Sequence, residues 1–318
     1  MISVSNFYKD LFGQKVYKIS LDAGCTCPNR DGSKSKGGCS FCSANGSGDF
    51  TPKKNLSITE QVQIAKRLVN SKFSRKNKKL LSENPDFEIK DEKYIVYFQN
   101  FTNTYGNPQE LKAKWEEALA QEGVIGLALG SRPDCFSKEM LEILGQLAEK
   151  TFVQVELGFQ TENDDTARYF NRSYESFIYD QAVKALHQAS KKIHVVTHLI
   201  FGLPNPDFPQ GIENQQQMIK SVKRVIQAGS DGIKITVLYI LKNSKFENLY
   251  LQGNFPTLSQ KDYYELIEKA LEIIPPKMVI HRLTGDPPKN DLIAPQWVKD
   301  KKKNLNLVNQ LLKKYSQK

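Results

Sequence analysis

The sequence predicts an α/β fold, a parallel sheet of repeated βα units with helices outside it. Two observations support this. From about residue 15 to 240, short β-rich runs alternate with stretches of helical period. The chain also has 318 residues, 39% of them apolar, enough for one large domain or two small ones whose core needs no disulfides. The first strand is Tyr17–Asp22, after which Val62, Ala65, Leu68 and Val69 recur at helical spacing. Tyr94–Gln99 is followed by a helix carrying Leu111, Trp115, Ala118 and Leu119, and Gly126–Leu129 by one carrying Leu141, Leu144 and Ala148. Phe152–Leu157 leads to Ile178, Ala182 and Leu186, and Ile193–Leu199 to Met218, Val222, Val225 and Ile226. Gly232–Leu238 completes six strands with five intervening helices. Six units can roll into a partial parallel barrel or stay an open doubly wound sheet, and periodicity alone does not separate the two. In both, ligands sit at the carboxyl ends of the strands.

Beyond Phe255 come a helix (Leu258–Ile274), a short run Met278–His281, a Pro-rich turn through Pro287 and Pro288, and a final basic helix. We therefore divide the chain into a core of residues 1–255 and a C-terminal α/β extension, an appendage of residues 256–318. Lys72–Lys79 (KFSRKNKK) opens a polar segment to about Glu92, expected as a basic inserted loop over about 70–92, and Lys299–Lys303 belongs to the final helix. Lys plus Arg total 45 against 35 for Asp plus Glu, a net charge of +10, yet charged residues make up only 25%. That excludes a disordered polyelectrolyte and leaves a folded protein with basic surface. MISVSNFYKDLFG has no continuous apolar run behind basic residues, and no later stretch reaches the ~18 apolar residues that span a bilayer. The expectation is a soluble, cytoplasmic protein with no membrane partner.

Four of the five cysteines, Cys25, Cys27, Cys39 and Cys42, lie in one loop after the first strand, and only Cys135 stands apart. This is unlike a framework of disulfides and reads as a metal or cluster site in a reducing compartment. Cys39 and Cys42 form a C-x2-C pair, and Cys27 sits across a loop supplied with Gly32, Gly37 and Gly38. Three thiolates on a [4Fe–4S] cluster leave one iron open; four cysteines around structural zinc close the site. Ligand count does not decide between them. Cys25 and Cys27 are one residue apart, so on an extended strand end they face opposite ways, which favours a three-cysteine site.

The loop TCPNRDG…GGCSFC, followed in order by YFQNFTNTYG, SRPD, VELGFQT, NR and HLIFGLP, resembles the radical S-adenosylmethionine (SAM) enzymes. Within them it is similar to the subfamily, labelled YtqA or MnmL, that is related to the radical-SAM half of the Elongator catalytic subunit but lacks its acetyltransferase domain. The resemblance runs from about residue 12 to 300. It implies a partial parallel (β/α)6 barrel of radical SAM type, a [4Fe–4S] cluster on Cys27, Cys39 and Cys42, and bound SAM. Cys25 matches no ligand of the family and is taken as a bystander. The resemblance further implies that Gln99, Asn100, Thr102, Asn103 and Thr104 replace the usual Gly-rich contact to the SAM amino group. Ser131, Arg132 and Asp134 of SRPD become pocket residues, with Arg132 offering a fork of donors to a carboxylate. Glu156 and Gln160 fall near the ribose or substrate, Arg172 at SAM, and Gly202, Leu203 and Pro204 against the adenine.

Some readings remain open. His194, Val196 and His198 share one strand face, and His198 is a candidate for the chemistry ahead of His194; His187 reads as a helix-surface residue and Cys135 as a small apolar filler. Relatives act on the wobble uridine of tRNA, and the subfamily is linked to processing 5-carboxymethylaminomethyl-uridine. With the basic balance, this makes tRNA the expected partner, alongside an electron donor such as flavodoxin or ferredoxin. Phe101, Tyr105 and Tyr239 are candidate stacking residues. The expected reaction is abstraction of hydrogen from the glycine-derived methylene by a 5′-deoxyadenosyl radical, leaving the 5-aminomethyl form, with Arg132 or Arg282 (in IHRLTGDPP) holding the carboxylate. The alternatives are a radical SAM enzyme acting on another RNA position or a small metabolite, and a non-catalytic, zinc-stabilised nucleic-acid-binding protein.

Overall fold

The structure is a computed structural model that describes residues 1–43, 46, 51–52, 54–83 and 92–316, with only the backbone path given for 71–83 and 316. Ile2–Ser3 (β1) leads through the helix Val4–Phe12 (α1) into Val16–Leu21 (β2), followed by Ile58–Glu83 (α2). The core continues with Lys93–Phe98 (β3), Pro108–Leu119 (α3), Val124–Ser131 (β4), Lys138–Ala148 (α4) and Phe152–Gln160 (β5). Asp164–Tyr169 (α5), Ser176–Ala189 (α6), Ile193–Phe201 (β6), Gln215–Gln227 (α7) and Gly232–Val237 (β7) complete it. Then come Ile240–Leu241 (β8), Lys245–Leu251 (α8), Gln260–Ile273 (α9), Val279–Arg282 (β9), Leu292–Ala294 (β10) and Lys301–Ser316 (α10).

Eight strands form one parallel sheet in the order β1-β9-β7-β6-β5-β4-β3-β2, curled into a half-barrel; β8 and β10 make a small antiparallel pair. The six expected strands are present, each within a few residues of its expected bounds, and all five expected helical stretches are helices. Alternate strand residues face outward. Ile19, Val96, Phe98, Leu127, Leu129, Val153, Val155, Leu157, Val195 and Ile235 are buried there in the main apolar core with α2, α3, α4, α6 and α7. The other set lines the concave side.

Two findings correct or sharpen the sequence reading. Lys72–Lys79 is not an inserted loop: the chain is helical through it as part of α2. Lys and Arg are good helix formers, so a basic composition does not mark a loop. The rest of the expected loop, 84–91, lies outside the described residues. The extension, moreover, is tied into the barrel, because its strand β9 pairs in parallel with both β7 and β1. A Cβ at Gly232 would lie 2.7 Å from His281 Cδ2, so glycine lets the ring of β9 lie against β7.

The segment β1–α1 is absent from the sequence reading. β1 and β2 are the two edges of the sheet, so α1, between them in the chain, crosses the open gap at the amino end of the barrel. Ser3 caps it by accepting from Asn6 N at 3.3 Å, and Gly13 ends it at φ 69°. Its Tyr8 hydroxyl donates to Gln154 Oε1 at 2.9 Å, and Phe7 stacks on His194 with centroids 4.6 Å apart. The helix thereby seals the concave side from below.

Candidate active site

The cysteine loop lies over the carboxyl ends of the strands, held by backbone turns and by a loop far away in sequence. Arg30 N and Asp31 N both donate to Cys27 O, at 2.7 and 3.2 Å, and Cys42 N donates to Cys39 O at 3.0 Å. Asn171, at φ 67°, donates through Nδ2 to Gly38 O at 2.9 Å, and its Oδ1 accepts from Ser35 Oγ at 2.8 Å. Ser40 N donates to Phe170 O at 2.9 Å, and Asn29 bonds both Asn171 O and Ser173 Oγ. The NR pair therefore builds the site through its asparagine. Sequence reasoning favoured the arginine; the sign it had was a non-glycine residue suited to left-handed backbone.

Cys27, Cys39 and Cys42 share one electrostatic neighbourhood, whereas Cys25 sits among Asp22 and Lys114. A hydrogen bond from Cys42 brings the Cys39 thiol down to about 7 against the cost of burial, with Arg132 and Asn29 assisting, while Cys42 is pushed well above the usual thiol range. Burial pushes Cys25 up to about 11, so it stays a thiol. One proton is thus readily lost from the Cys39–Cys42 pair, as thiolate ligation requires. No three His, Cys, Asp or Glu side chains among the described residues converge on a single ion. A cubane cluster does not ask for that, since each thiolate binds a different iron.

The polar segment after β3 packs beside this loop, with Thr102 N donating to Thr26 O at 3.2 Å. Asn100 Nδ2 donates to Asp22 Oδ2 at 2.6 Å, and Asn103 Nδ2 reaches Phe98 O, Asn100 O and Gly130 O at 2.9, 3.1 and 3.0 Å. Both amide oxygens, Asn100 Oδ1 and Asn103 Oδ1, are buried with no hydrogen-bond partner among the described residues. Orphaned acceptors of this kind fit an ammonium group, which is the observation that makes the site compatible with SAM. Gln99 Oε1 accepts from Ser20 Oγ at 3.1 Å.

Other expected pocket residues are engaged within the protein. Ser131 pairs with Thr104, and Arg132 makes a bidentate bond to Asp134, 2.9 Å on each branch, above the Tyr174 ring. Asp134 also binds Lys34 at 2.6 Å, so SRPD pins the cysteine loop to β4. Cys135 is buried beside it, as a filler would be. Arg172 is 1% exposed, and its five donors meet Phe159 O, Thr161 O, Tyr174 O, Asp164 and Ser176. It closes the end of β5 and has no donor left for SAM. Gln160, at φ 63°, lies at the same strand end. Leu203 is buried in the outer core, and Gly202, at φ +83°, packs where a Cβ would meet Leu258 at 3.0 Å. His187 lies partly exposed in the last turn of α6, with its Nε2 2.9 Å from Asp231 Oδ2. Phe101 lies under Arg30, Tyr105 bonds Ser33 Oγ at 2.8 Å, and Tyr239 packs on Gly285.

Below the strand ends, the concave face gathers charge. Glu156 accepts from Lys18, from Gln154 Nε2 and Tyr97 OH, both at 2.8 Å, and from Lys234 Nζ at 3.4 Å. Burial raises its pKa, but Lys18 and Lys234 outweigh this and hold it well below the usual carboxylate range. His198 Nε2 lies 2.9 Å from Thr236 Oγ1, and His194 Nε2 lies 2.9 Å from His281 Nε2. Burial lowers all three histidines, so they are neutral. Arg282 is on the rim, 42% exposed and 4.0 Å from Asp286. Lys18, Tyr97, Lys234 and His281 are the residues sequence reasoning missed. Their period-two placement opposite Glu156 is visible only once strand order is known.

The radical SAM superfamily model matches residues 27–209, and the radical SAM C-terminal domain model matches 230–314. The chain is 38% identical to the protein YtqA of Bacillus subtilis (strain 168), over 96% of this chain and 87% of that one. It is 27% identical to Elongator complex protein 3 of Drosophila melanogaster over 52% of this chain, which is 28% of that protein's length. Its fold is similar to that of the archaeal Methanocaldococcus infernus Elp3, with TM-score 0.60 at 15% identity, covering 92% of this chain and 63% of that one. These matches set aside the non-catalytic zinc alternative. The chain belongs to the radical SAM superfamily, whose members bind a [4Fe–4S] cluster and S-adenosylmethionine.

Proposed function

We propose that the protein is a radical SAM oxidoreductase acting on the wobble uridine of tRNA, converting 5-carboxymethylaminomethyl-uridine to the 5-aminomethyl form. The observation that carries this reading is the kinship with Elongator complex protein 3 across half of the chain. Two features support it. The half-barrel is open, so a base splayed from an anticodon loop can enter the concave side. Lys301, Lys302 and Lys303 are exposed on the first turn of α10, on a chain of net charge +10, and suit RNA phosphates.

In this reading Cys27, Cys39 and Cys42 ligate the cluster, and Cys25 does not. The orphaned carbonyls of Asn100 and Asn103 receive the SAM ammonium, with Gln99 and Thr102 beside them. Bound there, cluster and SAM supply one-electron cleavage of the sulfonium and a 5′-deoxyadenosyl radical that takes a hydrogen atom. The substrate loses that hydrogen from its glycine-derived methylene, then one electron, which the oxidised cluster would take back, and one proton, released to water, to give an imine. Water adds to it, and C–N cleavage releases glyoxylate and the aminomethyl group. The seal made by α1 keeps the concave side closed from below. Nucleoside analysis of tRNA from a strain lacking the gene tests the reading. Carboxymethylaminomethyl-type uridines should accumulate at the expense of aminomethyl-type ones, and an unchanged balance overturns it.

A further inference from the structure

We propose that Lys234, with Lys18 and Arg282, forms an anion subsite inside the half-barrel that binds the carboxylate of the substrate's amino-acid-like substituent. The subsite deepens the tRNA reading and rests on it. Among the described residues, Lys18, Lys234 and Arg282 stand near one another on the concave face, with the carboxylate of Glu156 between the two lysines. At the rim, Asp286 is shared: it stands 4.0 Å from Arg282 but 2.5 Å from Lys301. The three histidines facing the same space are neutral and add no counter-charge.

Glu156 is 5% exposed, and its oxygens are already taken by Lys18, Gln154, Tyr97 and Lys234. It is a fixed counter-ion for the lysines rather than an acceptor for ribose hydroxyls. Lys234 is different. Its side chain is 15% exposed, and its ammonium carries three donors, yet its contact to Glu156 is long at 3.4 Å. A buried ammonium so thinly bonded is costly unless an anion completes it. Burial accordingly brings Lys234 down to about 8, with Arg282 and Lys18 adding repulsion that a bound carboxylate would offset. Lys18, 24% exposed, and Arg282 on the rim leave a route in from the open side.

An anion here could also be an RNA phosphate or the SAM carboxylate, and the experiment separates these. The holoenzyme's affinity is measured for one tRNA in two forms, bearing either the carboxymethylaminomethyl or the aminomethyl group. Wild type should prefer the carboxylated form by about ten- to hundredfold, the range of a charge-assisted hydrogen bond in a buried site. Lys234→Met should lose that preference while keeping its affinity for the aminomethyl form, which also reports that it folds, and Lys234→Arg should retain most of it. Equal weakening towards both tRNAs would mean phosphate or SAM contact and overturn the subsite. So would a preference unchanged in Lys234→Met, or no preference in wild type. Failure of wild type to bind either tRNA would instead overturn the tRNA reading itself.

Discussion

Two arginines show how contacts decide what a residue type can mean. Arg132 follows the end of β4 and Arg172 follows α5, both in family-like motifs, and both suit a carboxylate by their fork of donors. Arg132 is bidentate to Asp134 and lies close enough to Cys39 to favour its thiolate. Arg172 is spent on the carbonyls of Phe159, Thr161 and Tyr174, on Asp164 and on Ser176. Removing a buried charge while its partners remain costs about 3–5 kcal/mol. Arg172→Ala should therefore lower thermal stability by that order, and the protein that remains folded should bind SAM as wild type does in equilibrium dialysis. Unchanged stability with lost SAM binding would reverse the assignment. The chemistry-bearing residues were legible in the sequence where their type is rare and clustered, as with the cysteines. The asparagines that hold the cysteine loop were not, because Asn29 and Asn171 are ordinary turn residues until the fold brings them together.

At the level of elements, the six barrel strands were legible because β-rich runs recur between helical periods. β1 was not, since a strand of two residues carries too little pattern, and β9 was read as the short run Met278–His281 but with no sign that it joins the barrel sheet. α1 had a readable signature in its Ser3 cap and its terminal Gly13, yet a nine-residue amphipathic stretch does not say that it will seal a barrel. Its seal depends on neutral histidines. His194 stacks on Phe7, contacts His281, and faces Lys18, Glu156, Asp231 and His187, and burial brings it down to about 4. The unfolded chain takes up this proton near 6.5 and the folded one does not, so folding stability is full above that pH and is lost as pH falls towards 4. Between about pH 7 and pH 5, His194 alone should cost about 2 kcal/mol. Urea unfolding of the cluster-free chain at the two pH values checks this; equal midpoints would contradict it.

The whole molecule is a parallel half-barrel whose edges, β1 and β2, never meet. The helix α1 covers the gap at one end, and the cysteine loop covers the strand ends at the other. Between them lies a concave face with more cations than anions. The partial barrel was legible from the order of motifs; its charged interior was not, because it assembles residues from six strands whose neighbours only strand order reveals. The central claim is that this scaffold holds an open, three-cysteine [4Fe–4S] cluster that cleaves SAM. Release of 5′-deoxyadenosine from SAM by anaerobically reconstituted, chemically reduced protein tests it most directly. Wild type and Cys25→Ala should both release it, and Cys27→Ala, Cys39→Ala and Cys42→Ala should each abolish it. Loss of release in Cys25→Ala, or its survival in any of the other three, would contradict the account.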